Sequence, residues 1–268
     1  MKDPVRTSGG RFGFAALFLL AFSLLAATLA RAGAIETIQR VKGSVVAVGT
    51  FERTRSPQFQ FLGTGFAVDD GTLIVTNAHV LPRLLDLAKS EAIAILIPLP
   101  DKDDPNQAQV REAKQVATDV DSDLALLRIP GPPLPPLKLG QSAEVKEGQE
   151  VLFTGYPIGA ILGPHPATHR ATIASVTPIA IPSARAGELS PQTIRRLSAG
   201  QYPVFQLDAT AYPGNSGSPL YDAATGEVIG IVNKVFVQGT KEAALTQPSG
   251  ITYAIPASHL RALLQRAR

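Results

Sequence analysis

Hydrophobic residues in the first half of the chain recur in short runs that are separated by Gly, Pro and Asp turns. Runs of this length, rich in Val, Ile, Phe and Leu, are typical of β-strands. Between Ser44 and Ile129 the pattern predicts six strands, which read SVVAVGT, FQFLGTGFAV, TLIVTNAHV, AIAILIPL, QVREAKQVAT and LALLRI. The intervening stretch VLPRLLDLAKSE is predicted to form a short helix.

The strand pattern stops at Pro130–Gly140, which holds five prolines and reads PGPPLPPLKLG. Because proline cannot donate to a strand ladder, this segment is predicted to be a stiff linker. Six further strands follow, namely EVLFTGY, ATIASVTPIAI, VFQLDAT, GSPLYD, EVIGIVNKVFV and ITYAIP, and an amphipathic helix ends the chain. The pattern predicts an all-β fold of two six-stranded antiparallel barrels, with one large sandwich as the alternative.

The expected organisation is an N-terminal barrel over residues 33–129, the linker over 130–140, a C-terminal barrel over 141–256 and a helix over 257–268. The polar segment Ser183–Gln201 belongs to neither sheet. An excursion of this length is interpreted either as a lid or contact loop, or as a solvated insertion.

Residues 1–32 have the pattern of a signal peptide. A cationic start precedes the 19-residue apolar run Phe12–Ala30, and Ala30 and Ala32 fit the small-x-small rule for cleavage before Gly33. The run is also long enough to anchor the protein in a membrane if it is not cleaved. In either case the rest of the chain is expected to be exported.

The net charge of +3 is carried by the N-terminus, where four cations stand against Asp3 within residues 1–32. The remaining chain has equal numbers of cations and anions, which disfavours a nucleic-acid binder. Cysteine is absent, so no disulfide supports the exported domain, and this is compatible with a bacterial periplasmic protein.

Ser216 is the candidate nucleophile, in the loop AYPGNSGSPL. Gly214 and Gly217 would let the backbone turn tightly around the hydroxyl, and the backbone N–H groups of Gly214, Asn215 and Ser216 are the candidate oxyanion hole. Taken alone, such a loop is also typical of an ordinary polar turn.

A hydroxyl nucleophile needs a base and a carboxylate that orients the base. His79 stands at the end of a predicted strand, and Asp123 leads directly into the apolar run LALLRI. His165 and His169 have a spacing that a metal pair could use, but without a third ligand they are predicted to be exposed loop residues.

The order His79, Asp123, Ser216 is that of the chymotrypsin-like barrels, whereas an α/β-hydrolase would run Ser, Asp, His with a G-x-S-x-G motif. The blocks TNAHV, DSDLALLRI, DATAYPGNSGSPL, GEVIGI and GITYAIP resemble those of the HtrA (Deg) group of trypsin-like serine proteases. The resemblance implies two perpendicular barrels with a cleft between them, and peptide-bond hydrolysis by these three residues without any metal or cofactor.

The chain departs from that family in its Ser183–Gln201 excursion, which is longer than the family's usual connection, and at two other places. It ends shortly after YAIPA, so the PDZ domains that usually follow are not expected, and Ser218 replaces the usual Gly. Asn215 carries no charge to bind a new N-terminus, which predicts activity without zymogen cleavage. Thr210 and Ala211 are the expected pocket residues, and their small, uncharged side chains predict cleavage after residues such as Val or Ala.

The sequence thus predicts an exported, periplasmic serine endopeptidase that acts on unfolded polypeptides. Two alternatives stay open. One is a processing protease with a single target, and the other is an inactive two-barrel scaffold or holdase that binds peptides without cutting them.

Overall fold

The computed structural model describes residues 33–99, 104, 107–159, 163–178, 203–235 and 251–268. The predicted signal peptide and the Ser183–Gln201 excursion lie outside these residues. Within the described ranges, no helix is long and apolar enough to cross a membrane.

The N-terminal sheet is antiparallel, with strand order β5-β4-β1-β2-β3-β7-β6. Its strands are β1 Val45–Phe51, β2 Phe59–Val68, β3 Leu73–Asn77, β4 Ala92–Pro98, β5 Ala108–Glu112, β6 Lys114–Asp119 and β7 Leu124–Arg128. Only Ala113 separates β5 from β6, although these strands form opposite edges. The sheet is therefore curled, because a single residue joins one end of each edge strand. The predicted strand QVREAKQVAT is split into two at this bend.

The C-terminal sheet is a closed barrel with order β10-β13-β12-β11-β8-β9. Its strands are β8 Glu150–Gly155, β9 Ala167–Pro178, β10 Pro203–Asp208, β11 Pro219–Asp222, β12 Val228–Val235 and β13 Ile251–Pro256. These are the six strands that the sequence predicts after the linker. The predicted all-β fold of two antiparallel barrels is confirmed, except that the N-terminal one has seven strands instead of six and is a half-barrel.

The predicted helix after His79 is wrong. The structure has two single 3₁₀ turns, Ala78–Val80 and Leu87–Lys89, joined by irregular chain. Leu84 and Leu87 are largely exposed, so two of the leucines that a helix here would use for its apolar face stay in solvent. The predicted C-terminal helix is confirmed as Ala257–Arg266, here called α2.

One helix precedes the N-terminal barrel and another follows the C-terminal barrel. Each of them contacts the barrel that is farther from it in the sequence. Residues 33–42 form α1, and Arg40 Nη2 donates to the carbonyl oxygen of Thr225 in the C-terminal barrel at 2.7 Å. Arg266 of α2 pairs with Asp119 of the N-terminal sheet, with 2.6 Å between Nη2 and Oδ2. One hydrophobic cluster accordingly includes Val41 and Leu260 together with buried residues of both barrels.

Candidate active site

His79 and Asp123 are brought together by the pairing of β3 with β7. Asn77, the last residue of β3, lies opposite Leu124, the first residue of β7, so the residues beyond these two ends are neighbours. His79 Nδ1 lies 2.6 Å from Asp123 Oδ2. The backbone N–H of His79 donates to Oδ1 of the same carboxylate at 2.9 Å.

The backbone of Asp123, like its side chain, is fixed by hydrogen bonds. Its φ of +54° is in the left-handed region, which Asp and Asn adopt more readily than other non-glycine residues. Its carbonyl oxygen accepts from the Ala78 N–H at 3.0 Å and from Asn77 Nδ2 at 3.1 Å. The side chain of His79 is 34% exposed and that of Asp123 is 12% exposed. The imidazole is therefore accessible from solvent, whereas the carboxylate is largely shielded.

The loop around Ser216 requires glycine on both sides. Gly214 has a φ of +101° and Gly217 a φ of +88°, conformations that other residues adopt with strain. A Cβ on Gly214 would lie 2.3 Å from the Tyr156 carbonyl oxygen, and one on Gly217 would lie 2.0 Å from that of Thr64. Packing against β2 and the end of β8 therefore explains these two glycines.

Ser216 lies beside the turn that carries His79. A Cβ on Gly63 would be 2.8 Å from the Val80 side chain and 3.1 Å from the Ser216 carbonyl oxygen, so both approach the same point of β2. The Ser216 hydroxyl donates to the backbone oxygen of Asn233 on β12 at 3.3 Å. No hydrogen bond joins this hydroxyl to the His79 ring, although both residues are described.

The peptide group between Gly214 and Asn215 is fixed at both of its polar atoms. Thr64 Oγ1 donates to the Gly214 carbonyl oxygen at 2.7 Å, and the Asn215 N–H donates to the Tyr212 carbonyl oxygen at 3.0 Å. Among the described residues, the N–H groups of Gly214 and Ser216 have no acceptor. These two groups are free to bind an oxyanion, while the Asn215 N–H is engaged within the loop.

The two predicted pocket residues, Thr210 and Ala211, lie just after β10, separated from it by Ala209. Ala211 is buried and Thr210 is half-buried. Thr252 of β13 fixes this segment, because its hydroxyl donates to the Ala209 carbonyl oxygen at 2.7 Å and accepts from the Ala211 N–H at 3.1 Å. The segment is therefore a rigid, uncharged turn.

His165 and His169, which the sequence predicts to be exposed loop residues, lie in different surroundings. His165 is exposed, as predicted, but the prediction for His169 is wrong. His169 lies in β9 with its ring stacked on Phe153, the centroids 4.8 Å apart, because Phe153 and His169 are paired residues of β8 and β9. Burial lowers the pKa of His169. In the described part of the chain no three His, Asp or Glu side chains cluster as metal ligands would.

Three residues of this region were not identified from the sequence, namely Thr64, Asn233 and Thr252. Thr64 lies in the run FLGTGF, where a small residue between glycines is a weak signal of close packing. Asn233 takes part through its backbone, which no side-chain pattern reveals. Thr252 sits in a strand where threonine is ordinary.

The fold and the arrangement of these side chains define a chymotrypsin-like domain, and the comparison of sequences agrees. The trypsin-like peptidase domain family matches residues 63–231, and the chain belongs to this family. Its relatives include probable periplasmic serine endoproteases described as DegP-like. That of Pseudomonas fluorescens strain Pf-5 is 34% identical over 203 residues, and that of Ectopseudomonas mendocina strain ymp is 32% identical over 202. The predicted resemblance to the HtrA group is confirmed.

Each of these alignments covers 75% of this chain but 34% of the relative, so the chain spans about a third of their length. Solved structures agree on the fold. The Deg5 crystal structure has a TM-score of 0.58 at 26% identity, covering 87% of this chain and 92% of that one. The HtrA-type protease AlgW with tripeptide has a TM-score of 0.59 at 24% identity, covering 87% and 62%.

Proposed function

We propose that this protein is a serine endopeptidase whose catalytic residues are His79, Asp123 and Ser216. The single observation that carries the proposal is the contact of 2.6 Å between His79 and Asp123 in a turn adjoining the Ser216 loop. A carboxylate opposite Nδ1 favours the tautomer with the proton on Nδ1, which leaves the lone pair of Nε2 to act as a base.

The proposed reaction requires one side-chain rotation. Ser216 Oγ must leave the Asn233 carbonyl oxygen and turn toward Nε2 of His79, a change that a substrate in the cleft can favour. Oγ then attacks the peptide carbonyl carbon while Nε2 takes its proton. The N–H groups of Gly214 and Ser216 stabilise the oxyanion, and each such donor contributes about 10²–10³ in rate.

Collapse of the tetrahedral intermediate breaks the C–N bond, and the protonated His79 gives its proton to the departing amine. The acyl group stays on Ser216 until water, deprotonated by the same imidazole, attacks the ester carbonyl. Collapse of this second tetrahedral intermediate breaks the C–Oγ bond, releases the carboxylic acid product and returns the proton from His79 to Ser216 Oγ. Each step is a proton transfer or a nucleophilic attack, so these side chains and a water molecule suffice for this mechanism.

We propose unfolded polypeptides in the bacterial periplasm as substrates, since the curated relatives are named periplasmic endoproteases and a solved neighbour holds a tripeptide. The half-buried turn at Thr210 and Ala211 has no charged side chain. This supports cleavage after small aliphatic residues, because the turn itself offers no anion to a lysine or arginine side chain.

The test is incubation of the full chain with unfolded casein, in parallel with Ser216→Ala. Ser175→Ala is the matched control, because Ser175 lies in β9 with its hydroxyl on Glu147, away from the cleft. We expect fragments from the wild type and from Ser175→Ala and none from Ser216→Ala. Equal cleavage by all three would show that Ser216 is not the nucleophile.

A peptide-binding scaffold is the second candidate, and the hydrogen bond of Ser216 to Asn233 in place of His79 favours it. A scaffold would suppress aggregation of unfolded casein without cutting it, and Ser216→Ala would act as well as the wild type. Light scattering and gel analysis of the same reactions separate the two functions.

A further inference from the structure

Thr64 is the residue through which the N-terminal barrel holds the Ser216 loop of the C-terminal barrel. It lies in β2 and is fully buried. Its backbone N–H donates to the carbonyl oxygen of Ser216 at 2.9 Å, and its hydroxyl donates to the carbonyl oxygen of Gly214 at 2.7 Å. The same hydroxyl accepts from the Tyr156 N–H, just beyond β8, at 3.0 Å.

Only a hydroxyl can make this pair of contacts in so small a space. An OH group carries one hydrogen to give and lone pairs to receive, and here one hydrogen and one lone pair are used. The backbone of Thr64 is itself fixed, because Thr76 Oγ1 donates to its carbonyl oxygen at 2.7 Å. Valine has the same shape as threonine and can make neither contact.

The bond to Gly214 fixes the peptide plane that separates the two candidate oxyanion donors. Thr64 holds the carbonyl end of that plane, and the carbonyl oxygen of Tyr212 holds the N–H end. Because peptide groups are rigid, fixing this plane also limits how the preceding Gly214 N–H and the following Ser216 N–H can turn.

We propose that Thr64 is a positioning residue that keeps the oxyanion hole formed before substrate arrives. The inference rests on the proposed function, since it concerns the same site. A hole that is already formed stabilises the transition state without reorganisation of the loop. The expected effect of losing the hydroxyl is therefore on the chemical step more than on binding.

The test compares Thr64→Val and Thr64→Ser with the wild-type full chain. Thr154→Val is the control, because the Thr154 hydroxyl is also buried and contacts Thr168 and Tyr221 at 2.8 Å, within the C-terminal barrel. The measurements are kcat and KM on a short peptide substrate, the melting temperature, and the Ki of a peptide aldehyde. The hemiacetal oxygen that such an aldehyde forms with a nucleophilic serine would occupy the hole.

We expect Thr64→Val to lower kcat by about 10- to 100-fold and to leave KM within about twofold of the wild-type value. The Ki of the peptide aldehyde should rise by a factor similar to the fall in kcat. Thr64→Ser should stay near the wild type. Thr154→Val should lose thermal stability as Thr64→Val does, because both leave buried groups unpaired, but it should keep its kcat.

Wild-type kcat and aldehyde affinity in folded Thr64→Val would overturn the inference and leave the proposed function intact. If Thr64→Val does not fold, Thr64→Ala is compared with Thr64→Ser. Equal kcat values for these two variants would likewise overturn the inference that Thr64 is a positioning residue. A wild-type chain without hydrolysis that depends on Ser216 would overturn the proposed function first, and the inference with it.

Discussion

Replacing Asp123 by Asn tests the role of the carboxylate with little disturbance of the backbone. The φ of +54° at this position suits Asn as well as Asp, and the backbone contacts of Ala78 and Asn77 are unaffected. The change matters because the carboxylate accepts two hydrogen bonds, from the N–H and from Nδ1 of His79, and an amide has only one oxygen to offer.

If the amide oxygen faces the His79 N–H, its NH₂ group faces Nδ1 and forces the proton onto Nε2, which can then no longer accept from Ser216. In the opposite orientation the amide oxygen faces Nδ1, and the NH₂ group faces the backbone N–H of His79. These two donors then oppose each other in a buried site, at a cost of about 1–3 kcal/mol. The neutral amide also loses its attraction to the imidazolium, about 4 kcal/mol for charges 4 Å apart at an effective dielectric constant of 20. The sum of about 5–7 kcal/mol corresponds to a fall in kcat of roughly 10⁴- to 10⁵-fold.

The assay is single-substrate hydrolysis at pH 7.5, with the melting temperature measured on the same samples. Asp119→Asn is the matched control, since Asp119 lies four residues earlier and pairs with Arg266 instead of His79. We expect that control to keep kcat within about twofold. Retention of more than a tenth of wild-type kcat by folded Asp123→Asn would refute the assignment of this carboxylate as the group that orients the base.

Three further predictions concern the loop, the pH response and the pocket. Gly214→Ala should lower kcat at least about 10²-fold, because its Cβ would lie 2.3 Å from the Tyr156 carbonyl oxygen, and an unchanged kcat would contradict the assigned oxyanion hole. Burial lowers the pKa of His169 from its ordinary 6.5, so the unfolded chain binds this proton more readily and stability falls as the pH drops below about 6.5. Urea unfolding at pH 5.0 and 7.5 should show a smaller difference for His169→Phe than for the wild type, and an equal difference would contradict this. Thr252→Ala removes the clamp on the pocket turn and should raise cleavage after Leu relative to Val by about tenfold in a peptide library, whereas an identical profile would exclude that role.

The parts of the fold that follow from local pattern were predictable from the sequence. The strand runs and the positions of His79 and Asp123 at the end of one strand and the start of another could be identified because apolar runs bounded by turn residues are local signals. The bend at Ala113 was not predicted, since the run QVREAKQVAT continues in character through it. The stretch with Leu84 and Leu87 was misread as a helix because sequence does not show that these leucines remain exposed.

The contacts between distant segments were beyond sequence reasoning. Thr64 and Ser216 are 152 positions apart, and nothing near either residue reveals that β2 packs on the loop. The stacking of His169 on Phe153 depends on the register of β8 with β9, which was not assigned from the pattern. Such registers are set by packing across a whole sheet and not by neighbouring residues.

The contact of α1 with the C-terminal barrel and of α2 with the N-terminal sheet has a consequence for folding during synthesis. A chain that emerges N-terminus first completes the strands around His79 and Asp123 long before Arg266 is available to pair with Asp119. The first barrel therefore forms without this ion pair until Arg266 has been synthesised, and without the Ser216 loop that β2 holds until that loop has been synthesised. The proposed site, which takes two residues from the first barrel and one from the second, is therefore assembled only after the strands of both barrels have been made.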